Sequence, residues 1–402
     1  MIRRTFLQSI FALSAASTLR AQDKPATRIL LRSSWQTVNI GDIAHTPGML
    51  ALLEKYRPDA EVILWPSSVD RGVTEILMKR FPKLKIALSK ADREKALKEC
   101  DFFLHGSGPG LVGAKETELA RKIGKPYGFG GVTLNDDELK TKGELLAGAK
   151  FVFLRDTDSM KALQKSGIEL PKVDFGPDAT FAIDLRDDDA AAVLMKEFRL
   201  EQGKFLCAIP RLRWTPYWEI HPETVKPNLE RVKVNEEFAE KDHAKIREGI
   251  TAWVRETKMR VLLCPEMTYE VPLLRTLLFE KLPDDVKPFV AVMDRYWLTP
   301  EACSVYAKAA AVLSSEQHSP IIAIAAGVPA VLVRQPTDTR KGQMWYDLKM
   351  NDWVFEIDNI SGEQIANQMV KIGRDLPSAR QEAARARDYA HERMAAMIAA
   401  IP

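Results

Sequence analysis

AVLSSEQHSPIIAIAAGVPAVLV, residues 311–333, decides the fold. Ala311 to Leu313 is a short β-branched run and Ala330 to Val333 is a second. Between them Ser319 is placed to cap a helix, Pro320 suits its first turn, and Gly327 stops it after a few residues. Two strands separated by a helix that short are joined by a crossover, which makes them parallel neighbours in one sheet. The same turn puts His318 at a helix N-terminus, where partial positive charge and amide donors favour phosphate or carboxylate.

Working outward, the same alternation fills the chain from Thr27 onward. In the first half, strands are expected at Arg28 to Leu31, Glu61 to Trp65, Lys85 to Leu88, Asp101 to Leu104, Pro126 to Phe129 and Phe151 to Leu154. Helices are expected at Gly48 to Tyr56, Thr74 to Arg80, Lys115 to Ile123 and Asp158 to Lys165, with Asp156 or Thr157 as the last cap. A polar, acidic stretch around Asp184 to Asp189 breaks the rhythm, and a second series of strands opens at Phe205. It continues through Arg260 to Cys264, Phe289 to Met293, Ala311 to Leu313, Ala330 to Val333 and Trp353 to Ile357. Helical stretches Phe238 to Thr257 and Glu363 to Ile398 flank these strands, the second interrupted at Pro377. The fold class is therefore α/β, with two Rossmann-like domains, mainly parallel sheets and a cleft between them, divided as residues 23–195 and 196–402. Ligands belong at the carboxyl ends of strands from both halves.

Residues 1–22 read as a twin-arginine-type signal peptide: Arg3 and Arg4 precede Phe6 and Leu7, and Ile10 to Ala16 forms a short apolar run. Export to the periplasm or the outside is the expectation, with no transmembrane span in the mature chain. The chain has 58 basic and 55 acidic residues. Three of the basic ones, Arg3, Arg4 and Arg20, lie in that leader, so the remainder is neutral. Such a balance gives no electrostatic footprint for nucleic acid. Cys100, Cys207, Cys264 and Cys303 are widely spaced without a Cys/His metal pattern, so neither zinc nor a disulfide framework is indicated.

Several segments bear chemistry. Asn39-Ile40-Gly41-Asp42 follows the first strand; glycine there permits close backbone approach, and Asp42 can cap a helix or accept a hydroxyl. His105-Gly106-Ser107-Gly108-Pro109-Gly110 follows the fourth strand without the lysine of a P-loop, so it reads either as an amide cradle for an anion or sugar or as a tight turn. Arg155-Asp156-Thr157-Asp158-Ser159 ends the sixth strand, followed by Gly176-Pro177-Asp178-Ala179. Arg211 and Arg213 follow the strand at Phe205, beside Trp214, Tyr217 and Trp218, a set able to hold carboxylate or phosphate and to stack on sugars, or simply a surface loop. Ser314 to Pro320 and Lys341 complete the set.

In order and spacing these segments resemble the polysaccharide pyruvyl transferase family, including its N-x-G-D, its strand-R-D-x-x-S-x-x-x-L-x-x-x-G element and its lysine-bearing loop. The resemblance implies transfer of a carboxyethylidene group from phosphoenolpyruvate to two hydroxyls of a sugar or polysaccharide, with no cofactor. Within it His318 is the candidate acid/base. Arg211, Arg213, Glu316, Ser319 and Lys341 are candidates for the donor side. Asn39, Gly41, Asp42, His105, Gly106, Ser107, Gly108 and Arg155 are candidates for the acceptor side or the cleft loops. The family carries R-x-H where this chain has Glu316-Gln317-His318. At about 4 Å and an effective dielectric near 20, one unit-charge contact is worth about 4 kcal/mol, so the exchange of arginine for glutamate bears directly on the donor. An acidic residue before an A-x-A-x-G-x-P helix also suits a GT-B-type glycosyltransferase using a nucleotide sugar. A non-catalytic exported carbohydrate-binding protein is the third reading.

Overall fold

The computed structural model describes residues 26–402, so the predicted leader lies outside the described residues. Two sheets, every pairing parallel, organise the chain. The first contains β1 (Arg28–Ser33), β2 (Glu61–Pro66), β3 (Lys85–Ile86), β4 (Phe102–His105), β5 (Tyr127–Val132), β6 (Val152–Leu154) and β7 (Val173–Phe175), in the order β3-β2-β1-β4-β5-β6-β7. The second contains β8 (Phe205–Ile209), β9 (Arg260–Leu263), β10 (Val290–Val292), β11 (Ala311–Ser314), β12 (Ala330–Arg334) and β13 (Val354–Glu356), in the order β10-β9-β8-β11-β12-β13. Each is a doubly wound sheet whose strand order reverses once, between β1 and β4 in one and between β8 and β11 in the other. A crevice opens at such a reversal because the crossover helices leave on opposite faces. All twelve expected strands form. β7 was not foreseen: it is a three-residue edge strand whose Val173 is exposed, so no apolar run announces it.

Helix starts diverged more. The helix expected from Gly48 begins at Ile40 and runs to Tyr56 with Pro47 inside it, capped by Asn39, whose side chain accepts from the Gly41 and Asp42 amides. Pro47 is tolerated inside the helix, at the cost of one intrahelical bond. Asp42 is thus inside the helix and not its cap, and it shares a face with His45 one turn on. Ser319 is not a cap either, since the helix His318–Ala325 starts one residue earlier. Gly327, at φ 72°, takes the left-handed conformation that ends this helix. Lys90–Glu99 buries only Ala96 and Leu97, so no apolar stripe betrayed it, although Ser89 and Asp92 form a reciprocal cap.

The halves are tied together at one place above all. The Ile40 amide donates to the Glu266 carbonyl at 3.1 Å, the Thr268 amide to the Val38 carbonyl at 3.1 Å, and the Thr299 hydroxyl to the Ile40 carbonyl at 2.9 Å. The last helix, Leu376–Ile398, packs back on the first half: His391 Nε2 lies 3.0 Å from the Phe181 carbonyl oxygen, and Arg393 reaches Asp174 and the Phe175 carbonyl. Both sheets are therefore held with the first turn of the Ile40–Tyr56 helix against the segments that follow β9 and β10. Cys100, Cys207, Cys264 and Cys303 are free and buried. Among the described residues no helix is long and apolar enough to cross a membrane.

Candidate functional site

Both switch points end at the same cluster. From the first sheet come Asp42 and His45, Ser107 after β4, and Asp178 after β7. From the second come Glu266 after β9 and His318 after β11. The His318 and His45 rings meet edge to face with centroids 5.0 Å apart. Nδ1 of His45 lies 2.9 Å from Asp178 Oδ1 and 2.7 Å from Ser107 Oγ, while Nδ1 of His318 lies 3.1 Å from Glu266 Oε1. His318 Nε2 is 4.0 Å from Asp178 Oδ2. Asp178 is itself held by Arg155 and by the Thr180 amide at 3.0 Å. His318 retains 7 % exposure, His45 and Asp178 none. Polar groups of both halves surround the His318 ring, so the ring spans the junction and is not enclosed in hydrocarbon.

Gly41 has a physical reason to be glycine: a Cβ there would lie 2.1 Å from Cγ of His318. The imidazole therefore rests directly on the backbone of the Ile40–Tyr56 helix. Asn39 acts as that helix's cap, and Asp42 accepts from Gln36, whose amide also donates to the Tyr217 hydroxyl at 3.1 Å.

Opposing charges shift the buried groups. Burial would push the Asp178 carboxyl up, but His45, Arg155 and His318 outweigh it and hold it well below the usual carboxylate range. Burial would push the His318 imidazole down, yet Glu266 and then Asp178 raise it above its ordinary value. Glu266 is lowered for the complementary reason, burial being outweighed by His318 and Ser319. Burial, reinforced by Glu316 and Glu266, drives the Glu270 carboxyl well up, while its Oε2 accepts from the Glu266 amide at 2.6 Å and the Met267 amide at 3.1 Å.

Several expectations need correction. The amides at the start of His318–Ala325 are not free for an anionic ligand, because Glu266 Oε2 already accepts from the Ser319 amide at 2.6 Å and its hydroxyl at 2.8 Å. The helix dipole holds an internal carboxylate. The glycine loop after β4 is no amide cradle: Gly106 N–H donates to the Arg32 carbonyl, Gly108 N–H to the Gly131 carbonyl, and Gly108 packs on Trp35. His105 does not face the cluster. It is fully buried, with Nδ1 2.8 Å from the Gly106 carbonyl oxygen and Nε2 accepting from the Gly113 amide at 2.9 Å. Only Ser107 of that loop reaches the site.

Arg213 is also structural. It bonds Asp242 at 2.8 Å and Asp358 at 2.5 Å and lies 3.5 Å from the centroid of the Phe238 ring. Arg211 is closer to the site but committed, pairing with Asp338 and, at 3.1 Å, with Glu316. Burial, opposed by Arg211, pushes the Glu316 carboxyl up to about 7. Lys341 is partly buried and forms no ion pair among the described residues, although its charge acts on Glu316, Asp338 and His318. A cavity of about 460 Å³ lined by Leu50, Arg57, Phe81 and Lys83 lies along the later turns of the Ile40–Tyr56 helix, away from all these groups.

His45, Asp178 and Glu266 were not foreseen as site residues. Asp42 and His45 are three apart, a helical spacing that becomes visible once the helix is known to start at Ile40. Asp178 stood inside a recognised segment without a role. Glu266 follows β9 with no local pattern to mark it.

Two parallel doubly wound sheets facing each other at their switch points, with an imidazole–carboxylate cluster between them, define a protein of GT-B-like architecture. The chain belongs to the polysaccharide pyruvyl transferase family, whose sequence profile matches residues 39–335. A search of curated proteins finds no match. Among solved structures the chain is similar to MnaA of S. aureus in complex with UDP (TM-score 0.59, 12% identity, 91% of this chain and 94% of that one). It is also similar to HepE of Anabaena in complex with UDP and glucose (TM-score 0.56, 12% identity, 92% and 97%). A third is the UDP-GlcNAc 2-epimerase of Methanocaldococcus jannaschii (TM-score 0.54, 14% identity, 85% and 91%). At these identities the likeness is one of fold.

Proposed function

We propose that the chain transfers the carboxyethylidene group of phosphoenolpyruvate to two hydroxyls of a sugar or glycan, with His318 as the proton carrier. The observation that carries the reading is the His318 imidazole, fixed by Glu266, raised in basicity and set against His45 and Asp178 within the segment that defines the family. In the reaction the donor's methylene carbon takes a proton and becomes a methyl group. The adjacent carbon forms bonds to both acceptor oxygens, its bond to the phosphate oxygen breaks, and the second hydroxyl proton leaves with phosphate. An imidazole whose basicity is raised and which is backed by a carboxylate suits both the delivery and the recovery of protons. Lys341 is the cation left over for the donor's phosphate or carboxylate.

Glu316 favours this reading over a nucleotide-sugar transferase. It is 4 % exposed and engaged by Arg211, and so is not offered as an acceptor for ribose or sugar hydroxyls. Its pairing also removes much of the repulsion that a free glutamate would exert on an anionic donor. Export, with residues 1–22 as leader, remains part of the proposal. Calorimetry with phosphoenolpyruvate, UDP-sugars and acidic glycans separates the readings. Saturable phosphoenolpyruvate binding that His318→Ala abolishes is expected; binding of UDP-sugars alone, or of glycans alone, would overturn the assignment.

A further inference from the structure

We infer that Asp42, His45 and His318 form a binding site for one divalent transition-metal cation. One ligand atom from each of the three lies within 4.8 Å of the other two, and all three side chains are buried. Each imidazole uses Nδ1 toward a carboxylate, His45 toward Asp178 at 2.9 Å and His318 toward Glu266 at 3.1 Å. A carboxylate beside Nδ1 favours the tautomer with the proton on that nitrogen, so a neutral ring presents its lone pair at Nε2. Both Nε2 atoms are buried without a hydrogen-bond partner. An orphaned buried polar atom costs about 1–3 kcal/mol, so a cation that engaged both Nε2 atoms would relieve that cost. Asp42 supplies the third ligand: Gln36 holds Oδ2, and Oδ1 lies 3.9 Å from His45 Nε2.

The carboxylates behind the rings match the outer shell that metal-bound imidazoles require, fixing the tautomer and making the ring a stronger donor. They are anchored in turn, Asp178 by Arg155 and Glu266 by Ser319. Charge agrees as well. With neutral imidazoles, Asp42, Asp178 and Glu266 against Arg155 leave two negative charges, the complement of a dication. Two nitrogens and one oxygen select zinc-like ions over magnesium or calcium. A tetrahedral ion with bonds of about 2.1 Å needs its ligand atoms about 3.4 Å apart, so the triad contracts by less than about 1.5 Å on loading. Three protein ligands leave a fourth position, on the side where Asp42 and His318 each keep 7 % exposure. The sequence hid the site because two ligands are one helical turn apart and the third arrives from the other sheet.

This inference goes beyond the transfer reaction and does not rest on it. A cation on His318 Nε2 takes the lone pair that proton transfer uses, so the loaded and stripped chains are two different states. The test uses the full chain, stripped with EDTA and dialysed, titrated with Co²⁺ under visible spectroscopy and with Zn²⁺ under calorimetry. One ion per chain, with the d–d bands of a four- or five-coordinate site, is expected. Asp42→Asn and His318→Gln should each weaken binding at least tenfold, with folding checked by circular dichroism. If His318→Gln does not fold, Asp42→Asn decides alone. The absence of one-to-one binding to the wild-type chain, or unchanged affinity in the folded variants, overturns the inference.

Discussion

Replacing Gly41 by alanine probes the junction directly. The new methyl would lie 2.1 Å from Cγ, 2.2 Å from Cβ and 2.2 Å from Nδ1 of His318. Carbon contacts settle near about 3.5 Å, so the ring must retreat by about 1.4 Å. It cannot do so freely, because Nδ1 is tied to Glu266 at 3.1 Å and the backbone beyond it is tied through Ser319. Overpacking of this kind costs about 1–3 kcal/mol, against which alanine in a helix interior regains up to about 1 kcal/mol. The net loss of stability is therefore modest, about 0–3 kcal/mol. The loss of function is larger, since displacing a reacting group by about 1 Å costs on the order of 100-fold. Urea denaturation combined with the side-chain NMR signals of His318 separates the two effects. A Gly41→Ala chain whose His318 resonances and phosphoenolpyruvate turnover both match the wild type would refute the reasoning.

Three further outcomes follow from the same geometry. His105 is held neutral, its ring pushed by burial down to about 3, so the unfolded chain binds a proton that the folded chain refuses. Stability should fall as pH drops below about 6.5, by up to about 1.4 kcal/mol per pH unit until near 3, and His105→Gln should flatten that slope in urea titrations across pH. Arg213→Ala leaves Asp242 buried without its partner and should cost about 3 kcal/mol in denaturation midpoint while leaving donor affinity unchanged, which calorimetry reads. Lys341→Ala breaks no ion pair and should leave stability unchanged while raising the KM for phosphoenolpyruvate about tenfold or more, the value of a charge-assisted contact in steady-state kinetics.

What the sequence disclosed follows a physical division. Apolar runs located the central strands because a buried parallel strand must be apolar along its length, whereas β7 at an exposed edge need not be. The Ser314 to Pro320 turn led to His318 because strand, turn and helix are local in the chain. Its carboxylate partner was not legible: Glu266 sits 52 residues away in the chain, and only the sheet order brings it there. The same applies to Arg211, which sequence reading placed among the donor's cations and the structure spends on Glu316 and Asp338. The helix start expected at Gly48 left out the turns that carry Asp42 and His45, which lie in the helix Ile40–Tyr56.

The most direct test is phosphate release from phosphoenolpyruvate by the purified chain in the presence of a panel of glycan acceptors. Acceptor-dependent release, accompanied by a ketal on the glycan and lost in His318→Ala, is predicted. No release with any acceptor, from a chain that instead consumes a nucleotide sugar, would contradict the account.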